Sequence, residues 1–288
     1  MTENQRGAFL MMGAMAAFTF NDTLVKAVGE ALPLSQILVL RGAMAGLLIY
    51  GLARYQGSLR FRLERRDWGL VALRCVSEAG ATFLFLTALM RMPIANITAV
   101  LQMLPLTVTL GAALLFQEVV GWRRMLAILV GFCGMLLIVR PGPDGFDVAS
   151  FYALGAVACV TLRDLSTRRM SAHVPSMTVT LMASLSVLVF GLAYALFQDW
   201  APVSPGQFGM LAGAACFILF GYLCSVMTMR VGDVAVVSPF RYTGLLWALV
   251  LGWLVFGDWP DSLTLMGGAL VVAAGVFTLY RERQQVRR

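Results

Sequence analysis

The chain has 288 residues, of which 59% are hydrophobic and 13% charged, and its formal net charge is +7 at pH 7. Its mean hydropathy of +0.80 lies well outside the range of water-soluble globular domains, which excludes an ordinary soluble enzyme or binding module. We therefore expect a chain that crosses a membrane as α-helices, because backbone polar groups in lipid must be satisfied within each segment.

Long apolar stretches recur along the whole chain, and most approach the roughly 20 residues that a helix needs to cross a bilayer. No stretch alternates polar and apolar residues with the period of two typical of membrane β-strands. The first stretch is long and is followed by many others, which favours a retained helix over a cleaved secretory signal. We predict an all-α membrane protein with ten transmembrane helices, at residues 7–28, 34–54, 68–89, 94–116, 122–140, 148–168, 176–198, 206–229, 234–256 and 262–281.

Residues that carry catalysis or bind metals are scarce. The 5 cysteines fall inside predicted spans without metal-ligand spacing, and His173 is the 1 histidine in the chain. A Ser/His/Asp set is therefore not expected in the membrane, and the sequence contains no GxxxxGK[ST] nucleotide-binding motif. We predict no catalytic residue, no metal site, no cofactor and no ATPase subunit.

Basic residues are distributed unevenly between the loops. If both termini lie in the cytoplasm, the opposite side receives only Lys26, Arg91 and Arg140, and all other basic residues next to the spans are cytoplasmic. This is the bias expected of the positive-inside rule. We predict a multi-pass protein of the bacterial inner (plasma) membrane with both termini cytoplasmic, and no nucleic-acid partner, because topology explains the charge.

One junction occurs twice in the sequence. Residues 114–122 read LLFQEVVGW and residues 254–262 read LVFGDWPDS, so that Asp258 stands where Glu118 stood. With five predicted spans in each half, the second copy would enter the membrane from the opposite face. We predict two inverted-topology five-helix repeats, residues 1–146 and 147–288, with a substrate site near the membrane midplane where they meet.

The two halves carry further features in the same order. In this respect the chain resembles EamA-type carriers of the drug/metabolite transporter superfamily, and it is nearest the bacterial aromatic amino-acid exporters. The residues that carry the resemblance are Pro105, Glu118, Gly131, Gly134 and Pro141, and then Pro239, Tyr242, Trp247, Gly252, Asp258 and Gly275. One departure is Asp258, where the family usually has Glu, which favours helix capping over a strict chemical role for this carboxylate.

The resemblance implies a secondary transporter that exports amino acids, aromatic or otherwise apolar, or related small metabolites through a central cavity. Its expected partners are a small-molecule substrate and membrane lipid, and its expected state is a monomer or weak dimer. An importer of a nucleoside-like or nucleotide-derived metabolite is the alternative within the same class. From another class, a lipid-handling membrane protein or membrane enzyme would bind long-chain lipid in a laterally open groove.

Charged side chains inside the spans are the strongest functional signal, because each costs about 2.5–3.5 kcal/mol at the centre of a lipid-exposed helix. They are Asp22, Arg41, Arg74, Glu78, Arg163, Asp164 and Arg241. For Arg74, Arg163 and Asp164 we expect structural ion pairs. Asp22 and Arg41 lie at comparable depth on consecutive helices, and a direct pair between them would either close one half of the cavity or hold the helices together.

Glu78 and Arg241 are the predicted cavity-facing charges, because a zwitterion needs an acceptor for its ammonium and a donor for its carboxylate. Pairing of both residues with neighbours alone is the alternative. The remaining candidate binding residues are polar or aromatic: Phe83, Asn96, Gln102, Met103, Ser238, Tyr242 and Trp247. Pro105 and Pro239 are predicted hinges, unless the prolines are merely tolerated. Gly131, Gly134, Gly268 and Gly275 indicate close packing of the fifth and tenth spans.

Overall fold

The computed structural model describes residues 3–57, 59, 61, 63–117, 122–139, 147–171, 173–231 and 238–286. These residues form α-helices and one 3₁₀-helix, and within these ranges no β-strand is present. The prediction of an all-α fold is confirmed for this part of the chain. Glu118 and Pro141, which belong to the features that carry the resemblance, lie outside the described residues.

The described part of the first half contains six helices. They are α1 (Glu3–Gly29), α2 (Leu34–Tyr55), α3 (Arg65–Leu89), α4 (Ile94–Leu101), α5 (Leu104–Phe116) and α6 (Trp122–Val139). The second half contains α7 (Val148–Arg168), α8 (Ser176–Ala195), α9 (Pro205–Val231), a 3₁₀-helix (Ser238–Tyr242), α10 (Thr243–Phe256) and α11 (Ser262–Val286).

Seven segments of the described chain are long and apolar enough to cross a membrane. They are Gln5–Gly29, Leu34–Tyr55, Arg65–Leu89, Ile94–Phe116, Val148–Arg168, Ser176–Ala195 and Pro205–Ser225. Shorter apolar helices at Met125–Val139, Phe240–Phe256 and Ser262–Phe277 coincide with the fifth, ninth and tenth predicted spans. The count of ten membrane-crossing helices therefore stays a prediction.

The outer surface of the bundle is rich in large apolar side chains. Leu47, Leu114 and Val189 are 71%, 72% and 65% exposed, and each lies in a segment long enough to span a bilayer. In water such a surface would be an aggregation hazard, whereas lipid accepts it without penalty. The exposure pattern therefore agrees with the membrane location inferred from composition.

The most extensive helix contacts join the two halves of the chain. Helix α1 packs on α9, α3 on α7, α6 on α11 and α2 on α8. If each helix is exchanged for its counterpart in the other half, the α1–α9 contact becomes the α7–α3 contact, and the α2–α8 and α6–α11 contacts map onto themselves. The central region is therefore formed by both halves together.

Two equivalent helix ends mark the repeated junction. Helix α5 ends at Gln117, whose φ is 56°, and α10 ends at Gly257, whose φ is 71°. Both residues have the left-handed conformation that commonly terminates helices, and each immediately precedes the acidic residue of its junction. Glycine adopts this conformation without strain, whereas glutamine must tolerate contact between its Cβ and the backbone.

We expect Gln117→Gly to raise the free energy of unfolding by about 1 kcal/mol, because glycine relieves the left-handed strain at this helix end. Unfolding of the purified protein in mixed micelles, followed by circular dichroism, would measure the change. Phe116→Gly is the matched control and should destabilise the protein, because it places glycine inside the last turn of α5. Equal destabilisation by the two substitutions would contradict the assignment of strain to Gln117.

Candidate functional site

A narrow cavity lies where α2 and α3 of the first half meet α8 and α9 of the second. Its volume is about 50 Å³. A space of this size holds about one or two water molecules, whereas organic ligands occupy pockets of about 300–1,000 Å³. A metabolite can bind here only if the surrounding helices move apart. The polar side chains that line the cavity are Arg41, Glu78, Thr82, Thr180, Ser184 and Tyr222.

Glu78 is the centre of an ion-pair network beside this cavity. Its Oε2 lies 3.7 Å from Arg74 Nη2, one helical turn earlier on α3. Its Oε1 lies 3.4 Å from Arg163 Nη1 on α7, and Arg163 Nε lies 2.9 Å from Asp164 Oδ1. The i,i+4 spacing places Arg74 and Glu78 on one face of α3. The structure thus brings the predicted ion-pair residues together and adds a bond between the two halves.

Arg41 reaches the cavity from α2 and is 7% exposed. Its Nη1 donates to Asn21 Oδ1 at 3.1 Å, and Asn21 Nδ2 donates to Asp22 Oδ1 at 2.9 Å. The contact expected between Arg41 and Asp22 is therefore bridged by the Asn21 amide. An amide can accept from a guanidinium and donate to a carboxylate at the same time, which explains its position between the two charges.

Two polar atoms of the cavity-lining charges have no hydrogen-bond partner among the described residues. They are Arg41 Nε, a donor, and Glu78 Oε2, an acceptor. A buried polar group without a partner destabilises the protein by about 1–3 kcal/mol. A cargo with an acceptor and a donor would satisfy both atoms. The pair therefore suits a zwitterion or a ring amide.

Phe83, predicted to line the cavity, packs in an aromatic cluster between α3 and α8. Its ring centroid is 5.5 Å from that of Phe190 and 5.4 Å from that of Tyr194, both with edge-to-face geometry. Such pairs stabilise packing by about 0.5–1.5 kcal/mol beyond area burial. The ring therefore contacts other protein rings and is not among the cavity-lining residues.

The helix break in the fourth predicted span lies at Gln102 and Met103, between α4 and α5. Both side chains are buried, and Pro105 follows in the first turn of α5. Proline is tolerated there because the first amides of a helix have no intrahelical acceptor. The interruption thus precedes the predicted hinge residue. On α4, Asn96 Oδ1 is buried without a hydrogen-bond partner among the described residues.

The ninth predicted span begins with the 3₁₀-helix, where Tyr242 is buried and its hydroxyl has no partner in the described chain. Arg241 is exposed on the same turn and is absent from the cavity lining. The structure therefore brings Glu78 together with Arg41 rather than with Arg241. Trp247 is 36% exposed, and its ring centroid lies 6.1 Å from that of Phe20.

Ser238 and Pro239 belong to the 3₁₀-helix by their backbone. Their side chains lie outside the described part of the structure. The predicted binding role of Ser238 and the predicted hinge role of Pro239 are therefore still predictions.

Polar contacts join the halves at one end of the bundle, near the start of α2. Gln36 Nε2 donates to Ala201 O at 2.8 Å, and Ala201 N donates to Gln36 Oε1 at 3.0 Å. At the same end, Lys26 Nζ donates to Met92 O at 2.6 Å and lies 4.0 Å from Asp258 Oδ2. We call this region the Gln36 end.

The opposite end of the bundle, near the start of α3, is also closed by polar contacts between the halves. Asp67 is fully buried, and its Oδ1 accepts from Ser171 N at 3.1 Å and from Ser171 Oγ at 3.2 Å. Arg74 Nη1 donates to Thr167 Oγ1 at 2.6 Å. We call this the Asp67 end. Both ends of the bundle are therefore held by polar contacts between the two halves.

Sequence analysis missed Tyr222 and Asn21 as candidate site residues. Tyr222 lies on α9, lines the cavity and is within electrostatic range of Arg41, Glu78 and Arg163. A tyrosine inside an apolar span carries no charge signal, so composition did not distinguish it from a packing residue. Asn21 carries no charge either, although an amide next to an intramembrane carboxylate was the available signal.

The described residues contain no group of three or more His, Cys, Asp or Glu side chains that could hold a metal ion. Their cysteines, Cys75, Cys133, Cys159, Cys216 and Cys224, are free thiols. The polar chemistry of the cavity is therefore supplied by guanidinium, carboxylate, hydroxyl and phenol groups.

Comparison with known proteins gives two matches to one family within this chain. Residues 5–140 match the EamA-like transporter family, and residues 148–280 match it again. A solved crystal structure has the same fold, with a TM-score of 0.66 and 19% sequence identity, and the alignment covers 96% of this chain and 98% of that one.

Several curated relatives align over almost the whole chain. A riboflavin transporter of Vibrio cholerae is 29% identical, with 98% of this chain and 96% of the relative covered. The pseudopaline exporter CntI of Pseudomonas aeruginosa is 28% identical, with 92% and 93% covered. An S-adenosylmethionine uptake transporter of Rickettsia prowazekii is 20% identical, with 95% and 92% covered.

Proposed function

Because the chain belongs to the EamA-like transporter family, we propose that it is a secondary carrier that takes up a nucleoside-like heterocyclic metabolite across the bacterial inner membrane. Members of this family transport small molecules and are not enzymes, and the apolar helices of this chain agree with a multi-pass membrane protein. Our proposal concerns the class of the cargo, the direction of its transport and the identity of the membrane.

The observation that carries the proposal is the cavity between the halves, with Arg41 and Glu78 on its wall. Charged groups in the interior of a membrane protein typically mark substrate or ion pathways. Polar contacts join the two halves at both the Gln36 end and the Asp67 end. Alternating access requires such contacts to release at one end at a time.

Two inverted repeats would allow the site to open to each side of the membrane in turn. We propose that residues 1–146 and 147–288 are these repeats and that both termini are cytoplasmic. Three observations support the division: the two family matches, the exchange symmetry of the helix contacts, and the equivalent helix ends at Gln117 and Gly257. Rocking of one half against the other would then open each end in turn.

The chemistry of the cavity favours a cargo with a planar amide. Arg41 Nε is a donor and Glu78 Oε2 an acceptor without a hydrogen-bond partner among the described residues, and a heterocyclic ring amide offers a carbonyl and an N–H to such groups. Tyr222 adds an aromatic face on which such a ring could pack. The proposed contacts for the rest of the cargo are Asn96 on α4, Gln102 and Met103 at the break between α4 and α5, and Tyr242 of the 3₁₀-helix.

The relatives also favour this cargo class over amino acids. One is named for riboflavin and another for S-adenosylmethionine, and both compounds join a nitrogen heterocycle to a hydroxyl-bearing chain or sugar. None of the three relatives above is named for an amino acid, so the predicted amino-acid export has less support. It is retained as the second candidate, because Arg41 and Glu78 could also hold the carboxylate and the ammonium of a zwitterion.

Counterflow into proteoliposomes tests the cargo class. Vesicles are preloaded in turn with unlabelled riboflavin, S-adenosylmethionine, adenosine, phenylalanine or leucine, and entry of the same labelled compound is followed. We expect transient accumulation of at least one of the three heterocyclic compounds above protein-free vesicles. Accumulation of phenylalanine or leucine alone would reject the proposed cargo and restore the amino-acid candidate.

A further inference from the structure

Helices α6 and α11 form an apolar groove on the outer surface of the bundle. The helices are closest at Gly134 and Gly267, where a Cβ built on either residue would lie 2.7 or 2.5 Å from the carbonyl oxygen of the other. Nearer the start of α6 and the end of α11, a space of about 580 Å³ opens between them. Buried Ala127 and Ala274 form its floor, so the groove is narrow, smooth and without polar groups along its length.

One end of the groove is basic and aromatic. Arg123 lines it, and its guanidinium lies 5.2 Å from the centre of the Trp122 ring. On the facing helix, Tyr280 is 57% exposed, and Trp122 is 72% exposed. Tryptophan and tyrosine are enriched at the level of lipid headgroups, which places this end of the groove at a membrane surface.

Basic charge predominates around this end. None of the described residues that line the groove is acidic. Further basic residues follow along the same helix ends, at Arg124 on α6 and at Arg281 and Arg283 on α11, with Glu282 between the last two. An occupant must therefore combine a slender apolar part with an anionic group at the level of Arg123.

We propose that this groove binds one anionic phospholipid, with an acyl chain lying along Ala127 and Ala274 and the phosphate beside Arg123. The acyl chain fills a narrow apolar slot that no described side chain occupies. The headgroup neutralises the basic end, as expected for basic pockets between transmembrane helices. The site is separate from the central cavity, so the inference does not depend on the nature of the cargo.

A second copy of the chain fits the same surface less well. Most dimers are isologous, which means that the same patch of each copy faces the other across a two-fold axis. With the axis along the membrane normal, both Arg123 side chains would meet at one level of the interface together with their basic neighbours. Like charges at such short range disfavour the contact, whereas an anionic lipid removes the repulsion.

Quenching by brominated lipids tests the proposal with the intact protein. Wild type and Trp122→Phe are reconstituted in phosphatidylcholine vesicles that contain a small, equal fraction of either phosphatidylglycerol or phosphatidylcholine with brominated acyl chains. Tryptophan fluorescence is measured, and the difference in emission between the two proteins isolates the Trp122 signal. We expect brominated phosphatidylglycerol to quench this signal about fivefold more effectively, which corresponds to about 1 kcal/mol for one basic side chain at a membrane surface.

Three variants make the test specific. Arg123→Gln should abolish the headgroup preference, whereas Arg66→Gln, which removes an exposed arginine at the start of α3, should retain it. Ala273→Leu, which fills the groove from an exposed position, should reduce quenching by both lipids. Equal quenching of wild type by the two lipids, or an unchanged preference in Arg123→Gln, would overturn the proposal. Efficient cross-linking between copies of a single-cysteine Ala273→Cys variant would overturn it in favour of a dimer interface.

Discussion

Replacement of Glu78 by glutamine is expected to reduce transport about 10- to 100-fold while the protein still folds. Glutamine keeps the size of the side chain and removes the charge that binds Arg74 on α3 and Arg163 on α7. A hydrogen bond to a charged group is worth about 1.5–3 kcal/mol, and the loss of one such bond to the cargo sets the expected range. Initial rates of uptake into proteoliposomes at equal protein density measure the effect.

Two further variants separate a binding role of Glu78 from a structural one. In Glu78→Gln/Arg74→Gln the i,i+4 pair is removed without leaving an extra charge, and the Arg163–Asp164 pair persists. If Glu78 binds cargo, the double variant should be as inactive as the single one, whereas recovery of transport would show that Glu78 only balances Arg74. Asp199→Asn is the matched control, because Asp199 is an exposed loop carboxylate, and it should transport normally.

Addition of a single methyl group at Gly134 is expected to destabilise the protein by about 1–3 kcal/mol. The ideal Cβ of Gly134→Ala would lie 2.7 Å from Gly267 O, and that carbonyl cannot move away without shifting α11. Overpacking of this kind costs about 1–3 kcal/mol when the backbone must adjust. The free energy of unfolding in mixed micelles is the measurement, and Gly267→Ala should give a similar loss.

Gly69→Ala is the control for the close approach of α6 and α11. Gly69 lies in α3, and no atom of a neighbouring element lies within 4 Å of the position that a Cβ would take there. Alanine is the better helix former by about 1 kcal/mol, so this variant should be neutral or slightly stabilised. If Gly134→Ala were stabilised to the same degree as Gly69→Ala, the close approach of α6 and α11 would not exist in the membrane.

Hydropathy and helix signals located the main elements of this fold correctly. Apolar length predicted the seven long segments, because the thickness of the bilayer sets a minimum that few soluble helices reach. The i,i+4 spacing of Arg74 and Glu78 predicted their contact within α3, because helix geometry alone determines which side chains share a face.

Contacts between helices could not be predicted from the sequence. Arg163 approaches Glu78 only because α3 packs on α7, and the rotation of each helix about its axis depends on packing with its neighbours. For the same reason the sequence did not distinguish Arg41 from Arg241 as the partner of Glu78 at the cavity. Gly268 and Gly275 were the expected contacts of the tenth span, whereas Gly267 makes the closest approach to Gly134.

The two ends of the bundle are held by different chemistry, which affects how each one opens. At the Gln36 end, one uncharged amide exchanges two hydrogen bonds with the Ala201 backbone, as neighbouring strands do in a sheet. Water can replace both bonds as they break, so their release has a small net free-energy change and is largely independent of ionic strength. At the Asp67 end, separation of the helices breaks the hydrogen bonds of a fully buried carboxylate and returns its charge to water, so the recovered hydration offsets the bonds that are lost. Opening of the Asp67 end therefore exposes a charge to water, whereas release of the Gln36–Ala201 bonds exposes only uncharged groups.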